Sequence, residues 1–383
     1  MTGTLGGMRP VHVIGIGLHP YQRMSETPYV ALGLRAVREA LEDAGLVWER
    51  VQSVYTGTAM LGMAVSRPML RHMGASGVPM MQVENASASG STAFRMAVMD
   101  VASGMSDVSL ALGVDKPTGF NLAASKTGIK SLEGGRVVPF THFALLTQKY
   151  IDDFGVSPED IGRVAVKNSR NGALNPYAQR RKARTLDEVM AGPQISGVLT
   201  RLQCCPVGEG AAAAIVVSED AITRLGLDRG RAVRVASSAL RSERVYEDAS
   251  NFDAALTRET VAEALAAADV TPADLDLIEL HDAFSVEEIF YLEAIGLCRP
   301  GEAARLMREG AFDIGGQCAV STSGGLLAMG HPIGPTGVGQ IAEITRQIRG
   351  EAGARQHPGA KIGLAHMVGI GAVCAAHVLK APA

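Results

Sequence analysis

Aromatic residues are scarce in this 383-residue sequence, at 4%, and charge is modest and balanced, with 20% charged residues and a formal net charge of −3. A chain this close to neutral offers no broad electrostatic attraction to nucleic acid or to an anionic membrane, so any basic site has to be local. The five cysteines, Cys204, Cys205, Cys298, Cys318 and Cys374, are odd in number and include no C-x-x-C pair. That pattern argues against a disulfide framework and against structural zinc. No run of about 18 uncharged apolar residues occurs, and residues 1–10 hold no basic segment followed by an apolar one. A cytosolic protein with no membrane span is expected.

Small and aliphatic residues are what the chain has in quantity, with 44 glycines, 17 prolines and 47% apolar residues. The mix suits an α/β protein with many tight strand-to-helix turns. A chain of 383 residues exceeds the size at which one hydrophobic core stops growing, so two core units or a duplicated fold are expected. Residues 11–17 are a β-branched apolar run closed by glycines, the pattern of a buried central strand. Over 29–44, Leu32, Ala36, Ala40, Leu41 and Ala44 recur at helical spacing, with Gly45 placed to end the helix. A strand resumes at 51–55.

The same order returns as strand 233–237, helix 254–268 and strand 275–280, and "ALEDAGL" at 40–46 is echoed by "ALAAADV" at 264–270. Each half also carries a run of small residues opening an apolar helix, "SASGSTAF" at 87–94 and "STSGGLLA" at 321–328. We read this as an internal duplication, with halves 1–225 and 226–383. Between about 115 and 205 the composition turns polar and basic, with several short helices expected. This segment reads as a cap inserted ahead of the last strand of the first half, at 211–220.

Four places carry candidate chemistry. At 84–93 a turn of small residues opens a helix, where backbone N–H groups favour negative charge. Ser87 in that turn can be a nucleophile, an oxyanion donor or a helix cap. At 279–285 the His281-Asp282 pair directly follows a buried strand, the usual location of a site in an α/β fold, although a structural histidine also fits. At 324–337, "GGLLAMGHPIGPTG" holds His331 among rigid turns. At 364–379 two apolar strands joined by a glycine-rich turn carry His366, and a plain hairpin is the alternative reading. The spacings of 50 and 35 residues between the three histidines fit no short metal motif, so no metal is expected. In the cap, Arg180, Arg181 and Lys182 are the densest basic cluster.

Together these residues resemble the thiolase family, most closely its sterol-carrier-protein and lipid-transfer-protein branch, across essentially the whole chain. Ser87-Ala88-Ser89-Gly90 matches the family's C-A-S-G nucleophile motif with serine in place of cysteine. His281-Asp282-Ala283-Phe284 matches the branch's H-D-C-F, Gly330-His331-Pro332-Ile333-Gly334 matches G-H-P-x-G, and His366-Met367-Val368-Gly369 matches the branch's histidine form of C-x-G.

The resemblance implies a thiolase fold: two pseudo-duplicated α/β halves in five layers with an inserted cap. It implies that His331 activates the group at 87 and forms one oxyanion hole with His281. Backbone groups at Ser87 and near Gly369 form the second hole, and His366 serves proton transfer at the substrate α-carbon. Asp282 and Gly334 belong to the motif turns, and Ser323 with Arg180, Arg181 and Lys182 is expected to meet coenzyme A.

The implied reaction is acyl transfer that makes or cleaves a C–C bond beside a 3-ketoacyl-CoA-type thioester, with coenzyme A as substrate or product and no covalently bound cofactor. A homodimer and a small OB-fold, zinc-ribbon partner are implied as well. A serine hydroxyl is a poor nucleophile without a strong base beside it. Two further readings therefore stand beside the first: a retro-aldolase on β-hydroxyacyl-CoA, and a non-catalytic acyl-CoA binder.

Overall fold

The computed structural model describes residues 5–117, 139–246, 251–369 and 373–382. The first half runs β1 (Val11–Gln22), α1 (Tyr29–Ala44), β2 (Ser53–Gly57), α2 (Ser66–Leu70), β3 (Met80–Val83), α3 (Ser89–Ser103) and β4 (Val108–Asp115). After it come α4 (Pro139–Phe154), α5 (Pro158–Leu174), α6 (Leu186–Met190) and a small hairpin, β5 (Gln194–Ser196) with β6 (Leu199–Thr200). The half closes with β7 (Glu209–Ser218) and α7 (Glu219–Arg224). The second half runs β8 (Val233–Ser242), α8 (Phe252–Ala268), β9 (Leu277–Glu279), α9 (Ser285–Ile295), α10 (Ala303–Arg308), β10 (Ala319–Val320), α11 (Gly325–Ala328), α12 (Thr336–Arg349), β11 (Ile362–Gly369) and β12 (Val373–Lys380).

Among the described residues, ten strands form one sheet in the order β10-β9-β11-β12-β8-β1-β7-β4-β2-β3. It divides into two runs of five with the same plan. In the first, β2 pairs parallel with β3 and β4, while β7 is antiparallel to β4 and to β1. In the second, β9 pairs parallel with β10 and β11, while β12 is antiparallel to β11 and to β8. The duplicated fold expected from the sequence is thus present. The halves meet in the sheet only where β1 and β8 exchange two residue pairs, His12 with Arg234 and Val13 with Val233.

Helices make the other layers. α1 covers the outer face of the first run, α8 and α9 cover the outer side of the second, and α3 with α12 lies between the two runs. Strands covered on both faces bury every side chain, as β4 and β7 do. α1 keeps the expected bounds because Leu32, Ala36, Val37, Ala40, Leu41 and Ala44 form one buried stripe and Gly45, at φ 64°, closes it in the left-handed conformation.

Two expectations change. The segment between β4 and β7 carries not only short helices but α4 and α5, of 16 and 17 residues. α5 starts at a capping box, with Ser157 and Asp160 exchanging hydrogen bonds and Pro158 in the first turn. The run at 321–328 opens only the four-residue α11, because Ser321, Gly324 and Gly325 take positive φ and Gly330 follows. Part of the expected cap, 118–138, and the expected turn at 370–372 lie outside the described residues.

Candidate active site

Ser87 stands in the turn between β3 and α3, and that turn is held from several sides. Ala86 takes φ 48°, its N–H donates to Glu84 Oε1 at 2.6 Å, and the Asn85 N–H donates to Ser89 Oγ at 2.9 Å. A positive φ at a non-glycine residue is strained and marks a turn fixed by its surroundings. The α3 N-cap position is Ala88 and no side chain caps it. Ser87 is therefore not the helix cap; its buried hydroxyl instead lies 2.9 Å from His331 Nε2.

His331 reaches that point because its loop, between α11 and α12, is seated on the first half. Gly334 N–H donates to Asp115 Oδ2 at 2.8 Å, and the same carboxylate accepts from Thr58 Oγ1, Ala59 N–H and Met60 N–H. A Cβ at Gly90 would lie 2.3 Å from the Gly334 carbonyl, so the loop and α3 approach more closely than any side chain allows. His331 Nδ1 lies 2.9 Å from Thr336 Oγ1. Burial, with a smaller contribution from His281, holds the ring well below the ordinary histidine range, so it is neutral. In the tautomer whose Nδ1–H donates to Thr336, Nε2 is free to accept from Ser87 O–H. The result is a serine–histidine pair backed by a hydroxyl, not by the carboxylate of a hydrolase triad.

His281 follows β9 and stands edge-to-face with His331, their ring centroids 5.5 Å apart. Its Nδ1 lies 3.0 Å from Glu287 Oε1 of α9, and its Nε2 is buried without a partner. Asp282 turns the other way. Its carboxyl, pushed up chiefly by burial and then by Glu288, accepts from Leu326 N–H at 2.7 Å and Asn168 Nδ2 at 2.6 Å, tying the motif to α11 and α5. His366, on β11, is fully buried; its Nε2 meets Thr257 Oγ1 at 3.0 Å, and burial lowers its pKa to about 3. It joins the others through Tyr291, whose ring packs at 4.8 Å and whose hydroxyl donates to Glu287 at 3.3 Å. At the end of the same strand a Cβ on Gly369 would lie 2.4 Å from the Asn85 carbonyl, so β11 abuts the Ser87 turn.

Separate segments therefore bring Ser87, His331 and His281 together in a row, His366 stands at one remove behind Tyr291 and Glu287, and Gly334 and Gly369 are the close contacts between segments. The expected coenzyme A contacts need correction. Ser323 is buried, its hydroxyl donating to Glu279 Oε2 at 2.5 Å, and belongs to the scaffold. Arg180 Nη1 donates to the carbonyls of Cys204 at 3.0 Å and Leu327 at 2.9 Å, which ties the side chain to the scaffold. Arg181 and Lys182 are exposed, Lys182 pairing with Glu188 at 3.2 Å. Sequence reading missed Asp115, Thr336 and Glu287. Of these, Thr336 lies inside the 324–337 segment, while Asp115 and Glu287 carry no sequence signal; Glu287 accepts from Phe284 N–H at 2.8 Å, but phenylalanine is no capping residue. Among the described residues, no three His, Cys, Asp or Glu side chains are grouped to hold a metal ion, and no helix is long and apolar enough to cross a membrane.

Two stacked five-stranded α/β units, with a nucleophile-type turn facing histidines from the opposite unit, define the thiolase fold. Comparison with known proteins agrees: residues 13–220 match the family described as "Thiolase, N-terminal domain" and residues 238–380 match "Thiolase C-terminal domain-like". The chain belongs to the thiolase family. The benzoylsuccinyl-CoA thiolase subunit BbsB of Thauera aromatica is 33% identical over 374 residues, covering 95% of each chain. Sterol carrier protein 2 of Homo sapiens is 34% identical over 395 residues, covering 95% of this chain and 70% of that protein. Among solved structures, the Ltp2-ChsH2(DUF35) aldolase shares the fold, with a TM-score of 0.82, 24% identity and coverage of 97% of this chain and 98% of that one.

Proposed function

We propose that this chain is a thiolase-type acyltransferase that makes or cleaves the C–C bond beside a coenzyme A thioester, 3-ketoacyl-CoA in kind, with Ser87 in the nucleophile's place. The observation that supports it most is the 2.9 Å contact between Ser87 Oγ and His331 Nε2 in a buried site that also holds His281 and His366. A scaffold used only for binding has no need of a serine paired with a neutral imidazole acceptor. In cleavage, Ser87 O–H gives its proton to His331 and the oxygen attacks the 3-keto carbon. The C2–C3 bond then breaks with its electron pair going to C2, and the acyl group left on Ser87 passes to the thiol of a second coenzyme A. C2 takes up a proton, the coenzyme A thiol gives one up, and His331 returns its proton to Ser87.

One feature favours a second reading. His331 leans on Thr336 and not on a carboxylate, so Ser87 is weakly activated. A retro-aldol cleavage of a β-hydroxyacyl-CoA uses the same histidines with no acyl-enzyme. Incubating the purified chain and Ser87→Ala with both substrate types separates the readings. Thiolysis lost in Ser87→Ala supports the first; β-hydroxyacyl cleavage that survives the substitution supports the second; acyl-CoA binding with no turnover of either sinks both.

The BbsB relative is described as a subunit, and we propose that this chain likewise works with a second polypeptide, of the small OB-fold kind, in the cytoplasm. Arg181 and Lys182, exposed on the segment before α6, remain the proposed contacts for the coenzyme A phosphates.

A further inference from the structure

The three site histidines differ in what stands behind them. His331 meets the hydroxyl of Thr336 and His366 that of Thr257. His281 meets a carboxylate, Glu287 Oε1, at 3.0 Å. Glu287 is fixed in turn, since Phe284 N–H donates to its Oε2 at 2.8 Å and Tyr291 O–H to its Oε1 at 3.3 Å. An acceptor of three hydrogen bonds selects one tautomer of a neutral ring at His281, the one in which Nδ1 carries the proton and Nε2 is a bare lone pair. That Nε2 is buried and has no partner, on a ring standing 5.5 Å from the one that holds Ser87. A buried nitrogen left without a partner is costly unless a substrate atom completes it.

We propose that Glu287 makes His281 the proton carrier of the reaction, by holding the tautomer whose Nε2 faces the reacting carbon. The role that the family resemblance gives His281, an oxyanion donor, requires the opposite tautomer when the ring is neutral. The role it gives His366, proton transfer at the α-carbon, falls on a ring with no carboxylate behind it, which burial keeps uncharged. Glu287 is thus a positioning residue and His281 a catalytic one.

This inference rests on the acyl-CoA reading above and assigns its proton. In the cleaving direction the neutral ring first takes a proton from solvent on Nε2, gives it to C2 as the C2–C3 bond breaks, and returns to the Nδ1–H form against Glu287. The S–H proton of the incoming coenzyme A leaves through Nε2 to solvent when sulfur attacks the acyl carbon, so the ring ends neutral, while His331 returns its proton to Ser87. In the forming direction Nε2 takes the proton from C2 of an acyl-CoA, and the enolate carbon attacks the acyl group on Ser87.

Two measurements test it. The first follows deuterium exchange at C2 of acetyl-CoA in heavy water, which needs no second substrate. Exchange should fall about 100-fold in His281→Asn and by a factor of about 10 or more in Glu287→Gln, with acetyl-CoA affinity unchanged in the latter. Exchange lost in His366→Asn but kept in both of the others would overturn the proposal. The second is the 15N spectrum of histidine-labelled protein, assigned by His281→Asn, which reads the tautomer without any turnover. The His281 signals should show a protonated Nδ1 and a bare Nε2 in the parent chain, and a different balance in Glu287→Gln. A protonated Nε2 in the parent contradicts the inference even where the enzyme assay succeeds. If the tautomer is as expected but nothing is turned over, the acyl-CoA reading fails instead.

Discussion

The Ser87 hydroxyl, buried 2.9 Å from His331 Nε2, sits in a turn that its own motif builds between β3 and α3. The four motif segments could be found because each combines small residues or glycines with a polar group at the end of an apolar run, an unusual pairing in a core. Glu287 was not found because a glutamate in a helix ordinarily reads as a solvated face, and only the fold reveals that α9 is buried at that point. Arg180 shows the converse: its Nη1 partners are backbone carbonyls, which leave no trace in a sequence.

Asp253, in the first turn of α8, supplies a residue-scale prediction. Burial first, then Glu287, pushes its carboxyl up to about 7 from 3.8. A raised carboxyl contributes stability that is complete below its unfolded value and is lost as pH rises through the folded one. Asp253→Asn should therefore gain stability over the parent chain by about 2–3 kcal/mol between pH 5 and pH 8, read by urea denaturation. A difference that stays constant across this range would show that the carboxyl is not the buried acid described.

Among the elements, legibility followed periodicity. α1 and β1 could be read because one stripe of apolar residues, or one unbroken run, defines each. α4 and α5 could not, because long helices that bury one face against a second element look polar in composition; the Ser157 capping box was the available signal. The elements that matter most for the site are joined by a carboxylate that sequence gives no reason to single out. Asp115, at the end of β4, accepts from Thr58, Ala59, Met60 and Gly334 and thereby binds the His331 loop to the first half. Asp115→Ala strips these donors of their acceptor and should cost about 3 kcal/mol in chemical denaturation while also lowering activity, since His331 loses its seat. A stable variant with normal activity would remove Asp115 from the account.

Across the whole molecule, the duplication that two short echoes suggested is present as one strand plan used twice, with α3 and α12 shared between the copies. The site lies between the copies, which is why neither half shows it alone. The end of the sheet at β3 is short, and Met81 on it and Met63 and Met96 nearby in sequence are exposed, at 37%, 94% and 40%. An open edge with apolar surroundings invites pairing, and we expect a homodimer through this end; light scattering at micromolar concentration should give twice the chain mass, and a monomer would contradict it.

The central claim is that a complete acyl-transfer site surrounds a weakened nucleophile. The most direct measurement is intact-mass spectrometry of Ser87→Cys, beside the parent chain, after mixing with a 3-ketoacyl-CoA. A thiolate placed 2.9 Å from His331 Nε2, where the hydroxyl now sits, should form an acyl adduct and thiolyse it with coenzyme A at a rate well above the parent. A Ser87→Cys chain that binds the substrate yet forms no adduct and turns over nothing would contradict it.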